Sequence, residues 1–77
     1  MSGPSRVRFT EHARLRITRR RLGLDLIEAV VLEAHDRRGR NSGQADWRLF
    51  HRGVVILYDW SAGEDETTAL VRSAWRR

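Results

Sequence analysis

The apolar positions of this 77-residue chain change period once, near its middle. In the first half they recur at helical spacing. Ala13, Ile17 and Leu22 form a thin stripe in a segment that opens at Thr10, a good N-cap. Glu11 follows in the first turn, where the helix dipole favours an acid. This predicts a helix to about Leu22, broken by Gly23. Leu26, Ile27, Val30, Val31 and Ala34 keep the same spacing and predict a second, more buried helix from about Leu24 to Ala34, with Asp25 near its start. Beyond Ala34 alternation takes over. His35 to Arg40 reads as a short edge strand, its charges suiting an edge, and Asn41-Ser42-Gly43 as a turn. Ala45 to His51 alternates, with Trp47 and Leu49 on one face and Arg48 and Phe50 on the other. Arg52-Gly53 predicts a tight hairpin turn, and Val54 to Trp60 a strand apolar enough to be central. Ser61 to Asp65 reads as an acidic loop, and Thr67 to Trp75 as the last strand.

Helices first and strands after them predict an α+β fold: two N-terminal helices packed on a three- to four-stranded antiparallel sheet. Residues 1–8, with Gly3-Pro4-Ser5 as breakers, read as a disordered lead-in, and residues 9–77 as a single domain. No run approaches the roughly 18 apolar residues of a membrane span, and the N-terminus lacks a signal-like apolar region, so a cytoplasmic protein without membrane contact is the expectation. There is no cysteine, which excludes disulfides and thiolate metal sites. The three histidines show no close ligand spacing, so no metal and no other cofactor is expected.

Charge sharpens the picture. The formal net charge is +5, and residues 1–40 hold ten arginines against five acids, whereas residues 41–77 hold five of each. All fifteen basic residues are arginine. Planar guanidinium forks bind phosphate bidentately and stack on bases; a GC-rich genome also produces this composition, but not the clustering. His12, Arg16 and Arg20 recur at i, i+4 and i+8, one row on a helix. A titratable imidazole in line with permanent cations suits a phosphodiester, with arginines to hold the anion and a histidine to move a proton. RNA is therefore the expected partner. The bland alternatives stay open. His12 can be a helix residue bonded to the sheet, Arg16 and Arg20 a solvated face paired with Glu28 and Glu33, Arg48 an outward strand residue, and the tryptophans core.

Several segments, read together, are familiar. Phe9-Thr10-x-His12-Ala13-x-x-Arg16-x-x-x-Arg20, then Leu22-Gly23-x-x-x-Ile27, resembles the opening of a small bacterial family of the plasmid-toxin group. The likeness continues through Trp47-Arg48-Leu49-Phe50-x-x-Gly53-Val54-Val55 and ends with Leu70-Val71-Arg72-Ser73-Ala74-Trp75. Gly23 replaces the usual Ser cap, and Ser73 stands where members usually have threonine. The resemblance implies a RelE/barnase-like fold, shared with colicin-type and RelE/ParE-like toxins. It implies metal-independent RNA cleavage within a toxin–antitoxin or polymorphic toxin system, neutralised by an antitoxin protein. A non-catalytic RNA-binding or protein-interaction domain of the same fold is the alternative.

Metal-free cleavage uses the 2′-hydroxyl as nucleophile, and needs a base, an acid and positive charge on the phosphorane. In that scheme His12 does acid or base work, Arg16 and Arg48 hold and stabilise the phosphate, and Ser73 donates a hydrogen bond. Arg19 and Arg20 bind the RNA backbone, and Trp47 or Trp75 stacks on a base of an mRNA or tRNA. His51, Tyr58 and His35 are candidates for a second proton-transfer group. Spacing does not choose among them.

Overall fold

Thr10 is the first corner of the chain. Its N–H donates to the Val71 carbonyl at 3.1 Å, which closes a strand, and its Oγ1 accepts the Ala13 N–H at 3.0 Å, which caps a helix. The computed structural model describes residues 4–61 and 65–77. In chain order these form β1 (Arg6–Phe9), α1 (Glu11–Arg19), α2 (Leu24–Ala34), a single 3-10 turn (His35–Arg37), β2 (Gly39–Arg40), β3 (Trp47–His51), β4 (Val54–Ser61) and β5 (Asp65–Arg76).

The strands make one five-stranded sheet in the order β1-β5-β4-β3-β2. The expectation of three or four antiparallel strands is corrected here. The four strands β2 to β5 are antiparallel, but β1 adds a fifth, parallel to β5, with Arg6 opposite Thr68 and Phe9 opposite Val71. Arg6 to Phe9 belonged to the expected lead-in and the helix opening. Four residues are too short to show a period, and their pairing partner lies about sixty residues away in sequence. The edge strand expected over His35 to Arg40 contracts to Gly39–Arg40 behind the 3-10 turn. The acidic loop expected over Ser61 to Asp65 lies largely outside the described residues.

Both helices pack on one face of the sheet. Ala13, Ile17 and Leu22 from the α1 stripe, and Ile27, Val30, Val31 and Ala34 from α2, meet Leu49, Val54, Ile56, Tyr58, Ala69, Val71 and Ala74 in one core. Val7 and Phe9 of β1 join its border. Strand alternation then sends Arg6, Arg8, Arg48, Phe50, Val55, Leu57, Leu70, Ser73 and Trp75 to the opposite face, which no described helix covers. A register shift between Leu57 and Tyr58 inserts Arg72 into β5 as a bulge, and Arg72 joins that open face through an ion pair with Asp59.

Gly23 does not end α1. The stop is Arg21, with φ +58, whose N–H bonds the Thr18 carbonyl while the Leu22 N–H bonds the Ile17 carbonyl, a Schellman cap. Gly23 instead caps α2 from an ordinary φ of −75°. A left-handed arginine is strained where glycine is not, so Arg21→Gly is expected to raise the unfolding free energy by up to about 1 kcal/mol, measured by urea denaturation. No change, or a loss, would mean that the α1 stop is not left-handed in solution. The Arg52-Gly53 turn is as expected: both residues have positive φ, +53 and +77, the geometry of a two-residue hairpin loop.

Candidate nucleic-acid interface

The centre of the open face is a three-residue apolar row. Phe50 on β3 stands directly opposite Val55 on β4, and Val55 directly opposite Trp75 on β5. Two strand spacings separate the aromatic residues by roughly 10 Å at the backbone. Val55 is 0 % exposed although it lies outside the helix-side core, while Phe50 is 58 % exposed. Neighbouring side chains therefore close over Val55 and leave Phe50 in water.

Arginines surround this row. Arg48 precedes Phe50 by two positions on the same face, and the Arg77 guanidinium sits 5.6 Å from the Phe50 ring centroid. Arg6 and Arg8 extend the charge across β1. Asp59 on this face accepts from the Asp46 N–H at 2.6 Å and from Arg72 Nε. Among the described residues only Arg52 and Arg72 of the fifteen arginines have an acid within ion-pair distance. Exposed guanidinium groups without acids give a field that favours a polyanion.

The structure separates the residues that the sequence proposed together. Arg48, Ser73 and Trp75 share the open face, with Arg48 and Ser73 both opposite Leu57 from its two sides. His12, Arg16 and Arg19 are exposed on α1, on the helix side, and their side chains have no hydrogen-bond or ion-pair partner among the described residues. Glu28 and Glu33 do not pair with them; Glu33 instead accepts from His51 Nε2 at 2.9 Å and lies 4.0 Å from Arg52. Arg20, at the end of the row, donates from Nη1 to the Ala74 carbonyl at 2.7 Å. Its charge thus sits against β5 and its fork is partly committed.

Trp47 lies on the helix face, half-buried at the border of the core. The Arg38 guanidinium stands 4.2 Å from its ring centroid and 5.2 Å from that of Trp60, and Arg40 adds a second cation at 5.1 Å from Trp47. The two indoles meet edge to face at 6.4 Å. This ring is occupied by the protein's own arginines, a use that its sequence position did not reveal. The residues missed by sequence reasoning are Phe50, Arg6, Arg8, Arg72 and Arg77. Alternation of Arg48 and Phe50 was the available signal for Phe50; Arg6 and Arg8 needed the β1–β5 pairing, Arg72 the bulge, and Arg77 the bond of its N–H to the Gly53 carbonyl.

Beside Trp47 in the sheet, Tyr58 is 0 % exposed and its hydroxyl has no partner among the described side chains. Burial pushes its ionisation up to about 12, with the Arg38 charge opposing. A folded-state value above the unfolded one means that its contribution is full below about pH 10 and is lost as pH rises through about 12. Wild type is expected to lose about 2 kcal/mol of unfolding free energy more than Tyr58→Phe between pH 9 and pH 12. Tyr58 is the single tyrosine, so the phenolate absorbance reads its titration directly. A midpoint near pH 10 in the folded protein would contradict its burial.

Among the described residues no pocket is present, and no group of three or more His, Asp or Glu side chains is placed to hold a metal ion. None of the described helices is long and apolar enough to cross a membrane. No family model, curated protein or solved structure matches the chain.

Proposed function

We propose that this protein is a toxin-like RNA-binding domain of the RelE/barnase type, which engages single-stranded RNA on the open sheet face. One observation carries the reading: an exposed Phe50 and a Trp75 flank a closed Val55, bordered by Arg48 and Arg77, which have no acid partner among the described residues. Single strands present unstacked bases that rest on aromatic rings, while guanidinium groups follow the phosphates. Arg48 and Arg77 are the phosphate contacts nearest the aromatic row, and Ser73 adds a hydroxyl donor on the same face.

The test is direct. Trp75→Ala is expected to weaken binding of a fluorescein-labelled oligouridylate about tenfold, within the range seen on removing one stacking platform. Equal affinity for wild type and Trp75→Ala would sink the stacking role.

Cleavage is the second reading, and one observation favours it. The α1 row ends with Arg20 on the Ala74 carbonyl, one residue from Ser73, so His12 and Arg16 belong to a helix that borders the Ser73 strand. In this reading His12 takes the proton of the 2′-hydroxyl, Arg16 stabilises the phosphorane, and the 5′-oxygen leaves with a proton from water, while Arg48 on the other face of the sheet holds a flanking phosphate. Such an activity in a host cell calls for a neutralising antitoxin. Induction in a bacterium, with total RNA examined, separates the readings. Growth arrest with fragmented RNA, lost in His12→Ala and in Arg16→Ala, is the catalytic outcome. Normal growth and intact RNA leave binding alone.

A further inference from the structure

β5 is longer than the strand that covers its outer edge. β1 pairs with it from Thr68 to Val71 and stops at Phe9, whereas β5 continues to Arg76. Past Val71 the chain turns at Thr10 into α1, and Arg20 at the far end of that helix reaches the Ala74 carbonyl. The outer edge of β5 beyond Val71 is therefore bordered by a helix. His12, Arg16 and Arg20 recur every fourth residue, so they project from one side of α1. Arg20 shows where that side points: to the β5 edge. Residues i and i+4 stand about 6 Å apart at Cβ, which puts Arg16 next to Arg20 on the same border. On the other side of the strand lie Ser73 and Trp75, with the bulged Arg72 before them.

From this we infer that the α1 row and the open face form one continuous site, and that a single RNA strand crosses the β5 edge between them. The inference rests on the RNA-binding reading above. Bases stack over Trp75 and Phe50, and the backbone passes over the edge onto Arg16 and Arg19. Charge complementarity selects the occupant. Among the described residues Arg16 and Arg19 have no acid partner, and the same unpaired charge continues on the sheet face through Arg48 and Arg77. A strand that uses both surfaces must be longer than one that uses only the platform. Sites on single-stranded binding folds span on the order of 4 to 16 nucleotides.

The experiment uses labelled 2′-O-methyl oligouridylates of four and of twelve nucleotides, which cannot be cleaved through the 2′ position. Affinities are read by fluorescence anisotropy for wild type, Trp75→Ala, and the double variant Arg16→Ala with Arg19→Ala. The inference expects Trp75→Ala to weaken both lengths about tenfold. It expects the α1 double variant to weaken the twelve-mer about tenfold, with little effect on the four-mer, and to lower the twelve-mer's log–log salt slope by about 1.4. Arg16 and Arg19 are exposed, so thermal unfolding of the double variant should match wild type and exclude a folding defect. Equal effects on both lengths would reduce α1 to long-range attraction and overturn the inference, as would no effect on either. If Trp75→Ala also changes neither length, the RNA-binding reading falls with it.

Discussion

Ile56→Ala is expected to remove a large fraction of the stability of this domain. Ile56 is 0 % exposed in the central strand β4, opposite Leu49 on one side and Ala74 on the other, beneath the two helices. Truncating a fully buried isoleucine costs about 2–5 kcal/mol, the transfer term plus the cavity left behind. A chain of 77 residues has on the order of 4–12 kcal/mol in total, so the loss is a large fraction of the whole. Urea denaturation followed by far-ultraviolet circular dichroism reads the effect. Val55→Ala is the control, since Val55 is equally buried but sits on the other side of the sheet, outside the helix-side core. Its removal deletes fewer atoms and leaves the helices seated, so its cost should be clearly smaller. A cost below about 1 kcal/mol for Ile56→Ala would mean that the helices do not pack over β4 as described.

The second large effect is on binding. If the four open-face arginines outside an ion pair, Arg6, Arg8, Arg48 and Arg77, each neutralise one phosphate, the log–log salt slope for a single strand is about −2.8. Raising monovalent salt from 50 to 200 mM should then weaken RNA binding about fiftyfold. Arg48→Gln should lower the slope magnitude by about 0.7 without altering the fold, because Arg48 is exposed and pairs with no acid among the described residues. A slope near zero for wild type would remove the polyanion from the reading. It would move the open face toward a protein partner held by Phe50 and Trp75.

How much was legible in the sequence depended on the range of the interactions concerned. The α2 boundaries, Leu24–Ala34, followed from local periodicity. The β3–β4 hairpin was legible for the same reason: alternation set the faces of Trp47, Arg48, Leu49 and Phe50, and Arg52-Gly53 marked the loop. The α1 stop was misplaced, because a left-handed arginine leaves no sign in composition. β1 was hidden, because Arg6 to Phe9 becomes a strand only by pairing with residues near the end of the chain.

The candidate site divides along the same line. That His12, Arg16 and Arg20 share a helix side is a local fact, and the sequence alone determined it. So did the net charge, its concentration in the first half, and the opposition of Arg48 to Trp47 across one strand. Only the tertiary structure decided that Trp75 and Phe50 flank the same valine, and that Trp47 is taken up by Arg38. Likewise it alone set Arg20 against the Ala74 carbonyl and left one sheet face without a described helix. The physical reason is periodicity against pairing. A helix or strand repeat fixes direction within a few residues, whereas which faces meet depends on strand register, and register is settled by contacts between residues far apart in the chain.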